Sequence, residues 1–278
     1  MPKPQQTVLK DGRTVYFVRK FDFDTVRREI FDEGVYRKHG TKLDDGDYVF
    51  DIGANVGLFV VDISQRVKHA TVFAFEPIPD LFAAVELNAQ ASPNLSVTPI
   101  QAGVSGASGT AEFRYYHRSS VSSTMRTESS KEFREFSRKM AIDEMRRRGG
   151  IAALMADYAP NFVLNAVVDV ALRYYQASTL IPCKLVTISE TIDKYRIPRI
   201  DLLKVDAEGA EFDIIGAIRE EHWPLIKQTI IEVHDGPEAA RRMESLIQAR
   251  GFTTSLEKAV EATDYVWLLY GRRTNGGA

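Results

Sequence analysis

Residues 48–57, YVFDIGANVG, limit what this chain can fold into more than any other stretch. Tyr48, Val49 and Phe50 make the short apolar run that a parallel strand buried on both faces requires. Asp51 ends the run, Gly53 and Gly57 bracket a tight bend, and Leu58, Val61 and Ile63 then follow a helical spacing. A strand, a glycine bend and a helix N-terminus in succession predict backbone N–H groups turned into a crevice that a ligand can approach closely. Ordinary strand-to-helix turns also use glycine pairs, so this stretch alone suggests a nucleotide-type ligand without fixing it.

The remaining composition narrows the class. With 278 residues, 44% hydrophobic and 27% charged, the chain has the make-up of a globular domain carrying one embellishment. A net charge of −2 gives no electrostatic reason to expect nucleic acid or an anionic membrane as partner. The N-terminus lacks the apolar core of a signal peptide and no run reaches membrane-spanning length, so a cytoplasmic protein is expected. A single cysteine, Cys183, excludes an internal disulfide and a multi-cysteine metal cage.

Taken in order, residues 1–44 read as a cap: a polar, partly disordered lead-in over 1–12, a short strand over 14–19 and a helix over 23–36. Tyr36 and His39 stand just ahead of the glycine stretch, and Tyr36 is a candidate ligand contact. A second strand over 70–75 ends in Glu76, about 20 residues past the bend, where an acid can accept two hydrogen bonds from a ribose diol. An acid favoured by the dipole of the following helix is the competing explanation. A helix over 81–91 and a third strand over 95–104 follow, in which residues 102–105 are small enough to lie beside a flat ring. After an added strand over 111–116 and a serine-rich stretch over 119–130, two helical blocks follow, 131–148 charged and 151–175 apolar, the second divided at Pro160. Residues 119–178 therefore read as an insertion, a lid in preference to an oligomer surface, because so much apolar area cannot stay exposed. The core pattern resumes at Cys183. A helix over 187–195 is capped by Thr187 or Ser189, and strands over 200–205 and 228–233 alternate with helices over 212–218 and 237–250. Segments 252–256 and 265–270 close the sheet, giving a core of 45–118 and 179–271.

Three motifs stand in fixed order: DIGANVG at 51–57, FEP at 75–77 and KVDAEGAE at 204–211, followed by IEVH at 231–234. This set resembles the FkbM-type family of S-adenosylmethionine (SAM)-dependent methyltransferases over residues 45–110 and 183–271, and DAEGAE is its most specific part. The resemblance implies an α/β fold, a doubly wound, mostly parallel, Rossmann-like sheet of seven strands with helices on both faces. It implies that Asp51, Gly53, Asn55 and Gly57 hold the methionine end of the cofactor, that Glu76 holds the ribose, and that Ala102, Gly103 and Val104 border the adenine. Family members methylate hydroxyl groups of natural products, including polyketides, and of sugars. O-methylation of a small molecule, free or bound to a carrier protein, is the corresponding expectation. The long insertion departs from the simplest members, so kinship does not fix the acceptor.

Methyl transfer to an alcohol gains from alignment of the reactants and from removal of the hydroxyl proton. Asp206, Glu208, Glu232 and His234 cluster at the ends of two strands, the edge that borders the crevice in open α/β sheets. His234 is the preferred base, since a neutral imidazole is available near pH 7, with Glu232 or Asp206 orienting it or contacting the substrate. A histidine bonded to a loop is the plain alternative. Asp206, Glu232 and His234 could instead hold Mg²⁺, which ranks second because a mixed donor set suits that ion less than oxygen alone. His39, His69, His117 and His222 have no motif around them. An NAD(P)-dependent oxidoreductase is a rival, although Gly53-x-x-x-Gly57 departs from its G-x-G-x-x-G loop; a non-catalytic cofactor-binding module is another.

Overall fold

The computed structural model describes residues 3–116, 131–175, 178–259 and 264–273. The serine-rich stretch, His117 and the C-terminal tail lie outside the described residues.

A central sheet of seven strands carries the core. Its first strand, β3 (Asp47–Ile52), is the YVFDI run; it pairs in parallel with β4 (Ala70–Phe75), and β4 with β5 (Ser96–Ile100). On the other side β3 pairs in parallel with β9 (Leu202–Val205), and β9 with β10 (Gln228–Val233). A hairpin of β11 (Phe252–Lys258) and β12 (Trp267–Arg273) finishes the edge, with β12 inserted antiparallel between β10 and β11. Alternate residues serve opposite faces. Val49, Val72 and Leu202 pack with α2 (Leu58–Arg66) and α3 (Pro79–Gln90). Phe50, Phe73, Leu203 and Ile231 pack with α7 (Ile188–Tyr195), α8 (Glu211–Gly216) and α9 (Gly236–Ala249). Burial on both faces is why these strands read as continuous apolar runs rather than alternating ones. The fold is the doubly wound one expected, and the chain changes direction between β3 and β9, so the ligand crevice opens above their C-terminal ends.

Several local expectations are corrected. The polar lead-in contains β1 (Gln5–Val8), which pairs antiparallel with β2 (Thr14–Phe17). Fully buried Asn88 holds this hairpin: its Oδ1 accepts from Tyr16 N (2.8 Å), while its Nδ2 donates to Tyr16 O (2.8 Å) and Val56 O (2.6 Å). The single helix expected over 23–36 is three pieces: α1 (Lys20–Arg27), a π turn over Arg28–Asp32, and a 3₁₀ turn over Val35–Arg37. Gly34, at φ 61°, separates the last two. The third strand stops at Ile100, and Gly103–Val104 is a separate strand, β6, in a different sheet.

That second sheet carries the insertion. β7 (Gly109–Tyr116) and β8 (Ser178–Val186) run antiparallel, with Tyr116 opposite Ser178 at one end and Gly109 opposite Leu185 at the other. Cys183 thus belongs to a stalk and not to the central sheet, and the stalk begins five residues before it. Between the stalk's arms stand α4 (Lys131–Arg148), α5 (Gly150–Tyr158) and α6 (Asn161–Tyr175). Arg138 ties α4 to α6 through both oxygens of Asp169, at 2.6 and 2.8 Å. Thr187 is the cap of α7, in a reciprocal capping box with Glu190.

Candidate active site

One chamber of about 600 Å³ lies above the C-terminal ends of β3, β4, β9 and β10. Its walls come from three regions: the glycine bend with the ends of β4 and β6, the cap before β3, and the inserted helices. Met140, Ala141, Val167, Val168, Ala171 and Leu172 make the insertion wall, and Phe21, Val26 and Tyr36 the cap wall. The insertion therefore forms one wall of the crevice. Only part of its apolar surface is used in this way, however. Ile151, Leu154, Tyr158, Phe162 and Val170 point outward and are 60–81% exposed.

The glycine bend is shaped by its neighbours. At Gly53 (φ +74°) a Cβ would sit 1.8 Å from the Asp206 carbonyl oxygen, so β3 and β9 can approach this closely only through glycine. Asn55 (φ 53°) and Gly57 (φ 81°) continue the left-handed conformations. The expectation of open N–H groups fails at four positions. Gly53 and Ala54 donate to Phe75 O, Gly57 donates to Ala54 O, and Asn55 N donates to Glu76 Oε2 at 2.9 Å. What the bend presents instead is a side chain: Asn55 lines the chamber with Oδ1 buried and lacking any hydrogen bond among the described residues.

Glu76 stands at the end of β4 as expected, buried, its second oxygen accepting from Ile78 N at 2.9 Å. Burial pushes its carboxyl up to about 8, against the two backbone donors that pull it down. Ala102, Gly103 and Val104 are buried along the adjoining wall. A nucleoside offering a diol to Glu76, a flat base to the 102–104 wall and a polar donor to Asn55 Oδ1 matches these groups. Asp51 does not line the chamber; it is fully buried behind the bend, 3.0 Å from Lys204 Nζ.

Lys204 is the residue the sequence reading left without a role. It sits in β9, 3% exposed, donates to Gly53 O (2.8 Å), and lies 3.7 Å from Asp206 Oδ2 and 5.5 Å from the centre of the Tyr36 ring. Burial disfavours its charge, but Asp51 and Asp206 outweigh this and hold it protonated above the ordinary lysine range. Burial also pushes Asp51 up, only partly countered by the charge of Lys204 and its contact at 3.0 Å. The signal was legible: a lysine inside a four-residue apolar strand must find carboxylates.

Asp206, Glu208, Glu232 and His234 do converge on the chamber floor. His234, 6% exposed, is oriented by Glu211 and not by Glu232 or Asp206: its Nδ1 lies 2.9 Å from Glu211 Oε1, a carboxylate fixed by Gly209 N at 2.7 Å. His234 Nε2 faces Glu208 Oε2 at 3.5 Å and Glu232 Oε1 at 3.9 Å. Burial alone would lower the imidazole, yet Glu211, Glu208 and Glu232 lift it well above the usual histidine range. The setting does not favour the neutral imidazole expected near pH 7: its acidic neighbours, Glu211 foremost, favour the protonated ring. Burial, then the charge of Asp206, raises Glu232 well above the carboxylate range.

Glu29, also missed, enters from the cap on the π turn, and burial followed by the charge of Asp206 brings it to about 7. Tyr36 lines the chamber as anticipated, its phenol raised by burial and then by Asp206. Among the other histidines, His39 pairs with Glu257 at 2.9 Å and His222 lies 3.4 Å from Asp193, both away from the chamber.

Residues 51–254 match the FkbM methyltransferase domain. The chain is 30% identical to 31-O-demethyl-FK506 methyltransferase FkbM of Streptomyces tacrolimicus, over 96% of each chain. It is 28% identical to methyltransferase sdnD of Sordaria araneosa, again over 96% of each, and 24% identical to the hexuronic acid methyltransferase AglP of Haloferax volcanii, over 84% of this chain and 74% of that one.

Proposed function

This chain belongs to the FkbM methyltransferase family, and from that premise we propose that it transfers a methyl group from SAM to a hydroxyl of a small natural product of polyketide type, free or held by a carrier protein. The observation that supports this best is that one chamber is lined both by groups suited to a nucleoside and by an apolar wall above an acidic floor. The part beside Glu76 and residues 102–104 suits a nucleoside; elsewhere the lid wall is largely apolar, while Asp206, Glu208, Glu232 and His234 gather on the floor and Glu29 enters from the cap.

When bound, SAM supplies an electrophilic methyl on a sulfonium. The chain's residues do the rest. Glu76 receives the ribose hydroxyls, Asn55 Oδ1 gains the donor it lacks, and the bend sets the cofactor's depth. The apolar lid wall receives the body of the acceptor and excludes water from the floor. The floor cluster then faces the hydroxyl and takes up its proton, an assistance worth roughly 100- to 10,000-fold. The name of the Streptomyces relative, which specifies an oxygen, supports a hydroxyl over an amine.

Calorimetric titration with S-adenosylhomocysteine (SAH) and with NAD tests the cofactor assignment. Micromolar SAH binding with no NAD binding is expected, and preference for NAD would overturn the proposal. For the acceptor, the enzyme is offered SAM and a panel of hydroxylated polyketides, with mass and NMR analysis of the methylated product. Asp206→Asn and His234→Ala should keep SAH affinity and lose turnover by about 100-fold or more. Undiminished turnover in both would reject the floor assignment.

A further inference from the structure

The carboxylates around the chamber are not equivalent. On the floor Asp206 lies 3.7 Å from Lys204 Nζ, and Glu208 and Glu232 lie 3.5 and 3.9 Å from His234 Nε2. Glu76 holds two backbone donors, each at 2.9 Å. A carboxylate beside a cation or a donor is the weaker base, because taking a proton forfeits that interaction. Glu29 lines the same chamber and has no hydrogen bond or ion pair among the described residues.

Its position follows from the geometry of the cap. Phe21, Thr25 and Glu29 recur at four-residue steps along α1 and into the π turn, so they share one face, and all three line the chamber. The turn is closed by Glu33 N, which donates to Arg28 O at 2.9 Å. The two arginines whose charge reaches Glu29 are engaged elsewhere. Arg28 Nε stands 3.3 Å from Glu33 Oε1, and Arg147, on α4, lies 3.7 Å from Asp143 Oδ2. Met140 and Ala141 of that helix add apolar wall. Glu29 is thus a bare acceptor on the cap wall, within electrostatic reach of Asp206 and Glu232 on the floor.

We propose that Glu29 is the general base of the methyl transfer, its carboxylate taking the hydroxyl proton of the acceptor while the floor holds that oxygen. The O–H bond breaks toward Glu29 and the oxygen forms its bond to the methyl carbon. The methyl–sulfur bond breaks with its electron pair left on sulfur, and SAM leaves as SAH. The protonated Glu29 returns its proton to solvent when the product departs. Burial, then the charge of Asp206, brings Glu29 to about 7, so both of its forms are populated at neutral pH, as proton uptake and release in each cycle require. His234 suits the role less, since Nδ1 is given to Glu211 and its acidic neighbours favour the protonated ring. This role rests on the methyltransferase reading and narrows the proton uptake to one carboxylate that enters from outside the floor.

The test uses the whole chain, saturating SAM and a matched pair of acceptors, one an aliphatic alcohol and the other a nitro-substituted phenol already ionised at pH 8. With the alcohol, Glu29→Gln should lower kcat about 100-fold or more at unchanged SAH affinity, and Glu29→Asp should recover part of the loss. With the phenolate, which has no proton to give, Glu29→Gln should stay within about threefold of the unsubstituted chain. For the alcohol, kcat of the unsubstituted chain should rise with pH through a limb near 7, and Glu29→Gln should lack that limb. The charged and titratable groups around Glu29 are Asp206 and Glu232 on the floor, Arg28, Glu33 and Tyr36 on the cap and Arg147 on the lid. Arg147→Gln removes a charge that favours the carboxylate and should move the limb to higher pH. Equal losses on alcohol and phenolate would reduce Glu29 to a structural part, and an unchanged kcat with the limb retained would remove it from the reaction. Either result overturns the proposal, while SAH binding and methylation by the unsubstituted chain leave the methyltransferase reading in place. A chain that bound no SAH would instead sink that reading, and the role of Glu29 with it.

Discussion

Replacing Lys204 by methionine, which keeps the length of the side chain and removes its charge, should be among the most damaging single changes outside the substrate-contacting groups. The ammonium lies 3.0 Å from Asp51 Oδ1, with side chains 4% and 0% exposed. At an effective dielectric near 20, two charges at that distance attract by roughly 5 kcal/mol, and desolvation of both ends offsets much of this. Removal of one partner is a different matter, because it leaves Asp51 charged, buried and alone, at a cost of about 3–5 kcal/mol. The lost hydrogen bond to Gly53 O adds about 1 kcal/mol. Urea unfolding of Lys204→Met at pH 8 should shift the midpoint down by roughly 1 M or more. The sign with pH follows from Asp51, whose folded-state pKa already lies above its unfolded value and rises further without Lys204. A raised acid costs stability above its unfolded pKa, so the deficit should shrink as pH falls from 8 toward 4. Adding Asp51→Asn should return part of the loss, with a coupling of about 1–3 kcal/mol. Additive effects of the two substitutions, or a Lys204→Met deficit below about 1 kcal/mol, would refute the reasoning.

Two further outcomes follow from the cofactor side. Glu76, raised to about 8 by burial, should lose its proton when a diol donates to it, so SAH affinity should climb as pH rises toward 8. Calorimetry at pH 7 in buffers of different ionisation enthalpy should register proton release, and Glu76→Gln should remove that release and weaken SAH binding roughly 10- to 100-fold per lost charge-assisted bond; identical heats in all buffers would count against Glu76 as the ribose ligand. Gly53→Ala combines a left-handed φ with a Cβ 1.8 Å from Asp206 O, and its melting temperature should fall by about 6–12 °C or the protein should fail to accumulate.

The sequence by itself determined the frame. Apolar runs at 48–50, 70–75 and 228–233 and the glycine bend at 53–57 were enough to lay out parallel strands and the crevice between them, because strands buried on both faces and glycines at positive φ leave unambiguous local marks. The order of acidic motifs along the chain likewise placed Glu76, Asp206 and Glu232 at strand ends. What it could not give were relations between residues far apart in sequence. The polar strand β1 exists because β2 and Asn88 receive it, and the helix expected over 23–36 breaks at Gly34 and at a π turn that brings Glu29 into the chamber. His234 looked like a free base in its own tetrapeptide, but Glu211 and Glu208, more than 20 residues away along the chain, set its orientation and its proton. Lys204 was visible as an anomaly, yet only the pairing of β9 with β3 put Asp51 beside it. Backbone preference is local and can be read in sequence, whereas charge, burial and mutual distance at the site are properties of strands brought side by side, and only the folded chain decides them.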